Sequence, residues 1–241
     1  MAQLVKTMAG LAIASVKTVN GLVIASAKTI AGLDNTSGGG GFALVASTGK
    51  GSTTGNTVVS DAMNTTGSDL LVVFISDYQP SSSTLSDSQG NSWTQVATHE
   101  AGINRLTEFR CAAPSTSAAH TFTATGSANY PSIIALAFSG SNATPADQSA
   151  SNGALFGSSL QAGSITPSVN NALVLTALGA YNAGVVTQPA GYTYVTVTEV
   201  GGQHFYLAAG YKVQGTASAE NPTWTLTFDA ANSINSSFKP V

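Results

Sequence analysis

Asp69-Leu70-Leu71-Val72-Val73 and, about one hundred residues further on, Asn171-Ala172-Leu173-Val174-Leu175 are the two stretches that decide the fold. Each is a short apolar, β-favouring run behind a turn residue, and each opens a series of similar runs in the same order. Gly90-Asn91-Ser92-Trp93-Thr94 falls near Ala190-Gly191-Tyr192-Thr193, Phe109-Arg110-Cys111 on Tyr211-Lys212-Val213, and Thr121-Phe122-Thr123 on Thr223-Trp224-Thr225. A series that keeps its order at one spacing marks an internal duplication. Gly, Asn, Ser and Pro clusters separate the runs, and nothing after Gly41 combines helical spacing with caps. The expectation is an all-β chain: an antiparallel jelly roll or β-sandwich of two sequence-related halves, about 42–140 and 160–241, joined near Gly140 to Gly163. Each half offers few large apolar residues. One fused sandwich, in which each half covers the other, is therefore preferred to two separate ones.

Ahead of the sandwich lies a second, shorter repeat. Val5-Lys6-Thr7-Met8-Ala9-Gly10-Leu11-Ala12-Ile13-Ala14-Ser15 is followed by Val16-Lys17-Thr18-Val19-Asn20-Gly21-Leu22-Val23-Ile24-Ala25-Ser26 and by Ala27-Lys28-Thr29-Ile30-Ala31-Gly32-Leu33. Lys, Thr, Gly and Leu recur every eleven residues. Such a period also suits a right-handed coiled coil, but a glycine in each repeat costs a helix about 1 kcal/mol and the Thr, Val and Ile positions favour extended backbone. Extended segments turning at Asn20-Gly21 and its equivalents fit better. Lys17 and Lys28 break the apolar run that a secretory signal or a membrane span of about 20 residues would need, so neither is expected. An eleven-residue unit cannot bury both of its faces alone, and repeats of this kind gain a core by stacking. Leu4, Val5, Met8, Leu11, Ile13, Val16, Val19, Leu22, Ile24, Ile30 and Leu33 are accordingly expected to form an assembly arm over residues 1–33, preferably of three intertwined chains. Residues 34–41, ending in Gly38-Gly39-Gly40-Gly41, read as a hinge.

Composition narrows the functional classes. Charged residues make up only 8% of 241, while 30 Ser and 29 Thr supply the polarity. Eight basic against eleven acidic residues, with no basic cluster, argue against nucleic acid. One cysteine, Cys111, leaves no intramolecular disulfide and reads as a buried small hydrophobe in a strand, matched by Val213.

Catalytic chemistry has little to draw on. His99, His120 and His204 are scattered, no nucleophile elbow is present, and His120 and His204 read as strand-end or loop histidines. Glu100, Glu199 and Glu220 belong to the same small supply of acids, and paired carboxylates of a glycosidase could still come together from distant strands. Asp69, Asp87, Glu108 and Asp147 read instead as turn, solubility or edge residues. Ser86-Asp87-Ser88-Gln89-Gly90-Asn91 carries too few carboxylates for a calcium loop and reads as a tight turn before Trp93. No metal or other cofactor is expected. Among Tyr78, Tyr130, Tyr181, Tyr192 and Tyr194, the pair Tyr78 and Tyr181 stand at corresponding strand-to-loop exits and are the candidates for stacking on a glycan. Trp93 and Trp224 read as core.

The order of a Leu-Leu-Val strand, an aromatic-Thr turn, an aromatic strand and a Thr-aromatic-Thr strand, repeated with Pro189-Ala190-Gly191-Tyr192-Thr193, resembles a duplicated β-sandwich module of bacteriophage structural proteins and secreted bacterial surface proteins. The likeness spans residues 55 to 240. The repeat Val16-Lys17-Thr18-Val19-Asn20-Gly21-Leu22-Val23-Ile24-Ala25-Ser26 is similar to N-terminal repeats of phage fibre and virion proteins that precede a receptor-type domain. Together these resemblances imply a non-enzymatic virion component located in the particle, of head-fibre, decoration or tail-fibre type. The implied partners are two further copies of the chain, other virion proteins held through residues 1–33, and a cell-surface glycan. They transfer no site residue. The alternatives are a carbohydrate-binding bacterial surface adhesin and a glycan-cleaving enzyme. With its Ser/Thr-rich, charge-poor exterior, the head is expected to carry no apolar patch.

Overall fold

The computed structural model describes residues 41–52, 55–78, 83–126, 130–197 and 205–241, and in the first forty residues the pairs 7–8, 11–12, 18–19, 22–23, 29–30 and 33–34. Leu4, Val5, Ile13, Val16 and Ile24 of the arm, most of the hinge, and His204 lie outside the described residues. Residues 1–40 with Val241 form one compact unit and residues 41–240 another.

In the first unit β1 (Thr7–Met8) pairs with β2 (Leu11–Ala12), β3 (Thr18–Val19) with β4 (Leu22–Val23), and β5 (Thr29–Ile30) with β6 (Leu33–Asp34). Met8 is opposite Leu11, Val19 opposite Leu22 and Ile30 opposite Leu33. The eleven-residue period is thus one antiparallel hairpin per repeat.

In the second unit the strands are β7 (Ala43–Gly51), β8 (Thr57–Val59), β9 (Leu70–Tyr78), β10 (Thr84–Asp87), β11 (Thr94–Ala101), β12 (Asn104–Ala112), β13 (Phe122–Thr125) and β14 (Ser132–Ser139), then β15 (Ser141–Gln161), β16 (Ala172–Tyr181), β17 (Thr193–Val197), β18 (Phe205–Gln214) and β19 (Thr223–Pro240). All pairings are antiparallel and no helix occurs among the described residues. One five-stranded sheet runs β11-β12-β9-β14-β7 and the other β17-β18-β16-β19-β15, the same order once corresponding strands are matched. The chain is an all-β, antiparallel sandwich.

The inner faces of the two five-stranded sheets share one core. Leu70, Val72, Phe74, Leu106, Ile134, Leu136 and Phe138 from the first meet Leu173, Leu175, Ala177, Leu207, Ala209, Ile234 and Phe238 from the second. Both sheets are also covered outside. Over the first lies the three-stranded sheet β10-β13-β8, whose Val58, Phe122 and Ala124 join Met63 in packing on Leu71, Val73, Ile75 and Ile133. Over the second, the distal part of β15 and the start of β19 fold back, setting Leu160, Trp224, Leu226 and Phe228 on Leu178, Ala180 and Ala208. This explains the patterns of the central strands: β9 and β16 are buried on both faces, so they read as continuous apolar runs rather than alternating ones.

Three features differ from the sequence reading. Residues 141–161, read as a connector, are the edge strand β15, and Thr223–Phe228 and Ser236–Pro240, read as two strands, belong to the single strand β19. The matching of the halves also shifts by one residue. The inner-core pairs Leu70–Phe138 and Phe74–Ile134 correspond to Leu173–Phe238 and Ala177–Ile234, so Leu70 matches Leu173 and not Ala172. Likewise Leu106 matches Leu207, which places Cys111 against Lys212 and not Val213. Because side chains alternate with period two, a slip of one residue sends each to the opposite face.

Candidate functional site

His120 is the first place to look for chemistry, because it stands between an acid and a hydroxyl. One ring nitrogen, Nε2, is 2.9 Å from Asp87 Oδ1 and the other, Nδ1, is 3.0 Å from Thr65 Oγ1. That is the composition of a nucleophile triad, yet His120 and Thr65 are fully buried. The Thr65 hydroxyl is also engaged by Ser117, accepting its N–H at 3.0 Å and lying 3.2 Å from its carbonyl. A nucleophile must meet its substrate, and this one is closed off. Asp87 further accepts the Trp93 indole N–H at 2.8 Å and the Gln89 N–H at 2.8 Å. Burial alone would raise its carboxyl, but the bonds from His120, Gln89, Trp93 and Asn91 outweigh that and hold it below the usual range. The cluster fastens the turn after β10 to the chain around β13. His120, in an isolated bridge two residues before β13, is a buried clasp.

The second half has a counterpart. Met63 bridges His120 as Ile165 bridges Glu220, and Tyr192 stands where Trp93 does. Glu220 accepts from Gln214 Nε2 at 2.7 Å, Lys212 Nζ at 2.6 Å and the Tyr192 hydroxyl at 3.3 Å, while Lys212 lies 4.7 Å from the Tyr192 ring centre. Burial, reinforced by Glu220, drives the Tyr192 phenol far up, so it remains a donor.

Between the halves run two polar links. His99 Nδ1 meets Asn232 Oδ1 at 2.9 Å, Asn232 donates to the Asn104 carbonyl at 2.9 Å and side-chain oxygen at 2.8 Å, and Asn104 donates to Ser76 at 2.9 Å. Glu108, expected at a surface or edge, is wholly buried between the sheets. Its Oε1 accepts the Ser236 hydroxyl at 2.7 Å and its Oε2 has no partner. Burial pushes this carboxyl up to about 8, against smaller lowering effects of Ser236 and Arg110, so it is largely protonated at neutral pH. The symmetry-matched positions are Ala209 and Leu136, both in the inner core. Asp69 and Asp147 do serve turns: Asp69 accepts the Gly140 and Ser141 N–H groups, and Asp147 accepts the Ser168 N–H and hydroxyl.

The accessible candidate is the end of the sandwich where β9 and β16 finish. Tyr78 and Tyr181 are their last residues, at matching positions. Tyr78 pairs with Asn104 and Tyr181 with Ala230, which is also opposite Leu155 of β15. A methyl group placed on Gly102, in the β11–β12 turn, would lie 2.7 Å from Leu155 Cδ2 and 3.3 Å from Ala230 Cβ, so the turn closes the space between the two sheets here. Beside Tyr78, Arg105 clamps Asp77 with bonds of 3.0 and 2.9 Å, and Asp77 also accepts the Ser83 N–H, pinning both ends of the loop that begins after Tyr78. Tyr78 is 39% exposed, Leu155 54% and Phe156 76%. Phe156 sits in left-handed backbone, φ 51°, within the irregular part of the β15 ladder. A large residue tolerates that region poorly. The expectation of a patch-free head is therefore corrected: exposed apolar side chains gather at this end. Phe156 and Leu155 escaped the sequence reading, although they are the only large apolar pair in a Ser-, Gly- and Asn-rich stretch.

Tyr194 and both tryptophans are packed inward. Tyr194 donates to the Pro189 carbonyl and lies edge-on to Trp224, which is fully buried. Trp93 is half-buried against Phe122. Burial, with Asp87 nearby, pushes the Cys111 thiol up, away from the reactive thiolate. Among the described residues no group of three or more His, Cys, Asp or Glu is gathered as for a metal ion, and no helix is long and apolar enough to cross a membrane. No family model, curated protein or solved structure matches the chain.

Proposed function

We propose that the chain is a non-enzymatic structural protein of a bacteriophage particle, of head-fibre, decoration or tail-fibre type. Residues 1–33 attach it to other virion proteins as a homotrimer, and the sandwich faces outward for host attachment. The observation that carries this reading is the contrast between the two units. The head shares a core across two sheets, whereas each arm repeat offers a ladder of two residue pairs. An isolated two-stranded hairpin is marginal in water, and the Met8–Leu11, Val19–Leu22 and Ile30–Leu33 pairs gain cover by stacking on other chains. Light scattering on the full chain and on residues 41–241 tests it. The full chain is expected to be trimeric and the truncated one a folded monomer; a monomeric full chain would sink the assembly model.

The exposed Tyr78, Leu155 and Phe156 favour a second reading, a carbohydrate-binding adhesin head in which aromatic faces stack on sugar rings. A glycan array separates the two. Saturable binding lost in Tyr78→Ala and Phe156→Ala supports the adhesin, no binding supports a purely structural head, and release of reducing sugar overturns both.

A further inference from the structure

A cleft of about 180 Å3 opens between the two five-stranded sheets at the β11–β15 side. Its walls are Thr94, Gln95 and Val96 of β11, Arg110 of β12, Ala146, Asp147, Gln148 and Ser149 of β15, and Ser237 and Phe238 of β19. Arg110 lies six residues along β12 from Asn104, the partner of Tyr78, so about 20 Å of strand separates the cleft from the aromatic end. The two are distinct places.

Arg110 is half-buried and makes no hydrogen bond or ion pair among the described residues. A guanidinium offers five donors in a planar fork suited to a carboxylate. The two carboxyls near it do not fill that role. Glu108, two residues away on the same face of β12, spends one oxygen on Ser236, and its partnerless Oε2 lies in the buried layer behind the cleft. Asp147 is on the wall, but its oxygens already accept from Ser168 N at 2.9 Å, Ser168 Oγ at 2.5 Å and Ser237 Oγ at 2.9 Å. The charge of Arg110 is left for a ligand. Thr94 of β11 stands directly opposite Arg110, with Gln148 and Ser149 on the β15 wall and Val96 and Phe238 as apolar wall. One fork for a carboxylate, several neutral donors and acceptors, and an apolar wall match a sugar ring that bears an acid. The volume equals roughly six waters, the size of a single ring rather than a drug-sized molecule.

We propose that this cleft between the halves binds a uronic acid unit of an acidic glycan, with Arg110 pairing its carboxylate and Thr94 and Gln148 its hydroxyls. The inference does not depend on the arm or on the aromatic end. It is tested by calorimetric or NMR titration of the full chain with D-glucuronate, D-glucose and acetate. Glucuronate is expected to bind at least about tenfold more tightly than glucose or acetate, because the carboxylate and the ring must both be read. Arg110→Gln is expected to weaken glucuronate binding about tenfold or more, and Thr94→Ala, at an exposed position that should not disturb folding, to weaken it severalfold. Tyr78→Ala should leave it unchanged, which separates this site from the aromatic end. Absence of glucuronate binding, or binding that ignores both Arg110→Gln and Thr94→Ala, overturns the proposal. So does acetate binding equal to glucuronate, which would mark a general anion site only.

Discussion

Glu108 is the residue at which burial and chemistry conflict most. In the folded chain its carboxyl is raised from an ordinary 4.5 to about 8 by burial, while in the unfolded chain it ionises normally. Between those two values the folded state holds a proton that the unfolded state releases, so stability falls as pH rises from about 4.5 to about 8 and then levels off. Glu108→Gln keeps the shape and the acceptor for Ser236 without the ionisation. It is expected to flatten that slope and to stabilise the chain at pH 9 by an amount on the order of a few kcal/mol, with little gain at pH 4. Denaturant titrations at several pH values check this; a variant with the wild-type slope would place the pH dependence elsewhere. The sequence hid Glu108 for a physical reason. Alternation labels buried positions only when one face of a strand is wet, and in β12 Leu106 and Glu108 face one core while Phe109 and Cys111 face another. His120 was hidden similarly, since its partners Asp87 and Thr65 are distant in sequence and meet only when the outer sheet closes.

At the scale of elements, the legible strands were those rich in β-branched and aromatic residues. β9, β14 and β16 were visible because a strand buried on both faces is largely apolar throughout, and β12 and β18 because of their aromatic residues. β15 was not. Its sequence, SNATPADQSASNGALFGSSLQ, is short of large apolar residues, contains a proline and pairs through an irregular ladder with bulges. An edge strand can carry such residues because one side of its ladder lies open. What holds it is its fit to β19 and β11. Gly153 is a case in point: a methyl group there would lie 2.6 Å from both Asn232 Oδ1 and His99 Nδ1, the atoms of one polar link between the halves. Gly153→Ala is therefore expected to cost about 1–3 kcal/mol through overpacking, despite the better intrinsic strand fit of alanine. Thermal unfolding measures it, and an unchanged or raised Tm would show that β15 gives way there without cost. β19 poses the opposite problem. It alternates through Thr223–Phe228, where one face is exposed, and is buried on both faces from Ala230 to Phe238. The change of pattern reads as two strands, when it is one strand passing between two environments.

For the whole molecule, the common strand order of the two five-stranded sheets was legible in the sequence and the register between them was not. Strand order survives any small error of alignment, but the face each side chain presents does not, and the one-residue slip between Leu70–Ala172 and Leu70–Leu173 interchanges core and cover. The aromatic end was half legible. Tyr78 and Tyr181 follow from the duplication, while Phe156 belongs to the strand whose sequence concealed it. The shared core also determines how the head must unfold. Among the described residues, the inner cluster of Leu70, Val72 and Phe74 is shared with Leu173, Leu175, Ala177, Leu207 and Phe238 of the other sheet. Residues 41–140 alone would therefore expose one whole face of a five-stranded sheet, far more contiguous apolar surface than a soluble monomer normally shows. Residues 41–240 are expected to unfold in a single transition with equal calorimetric and van't Hoff enthalpies. Residues 41–140 by themselves are expected to bind a hydrophobic dye strongly, or to self-associate through that face. Two resolved transitions in the intact head, or a separate half that is monomeric with a sharp transition of its own, would mean that the outer layers suffice for each half and that the inner core joins two independent domains.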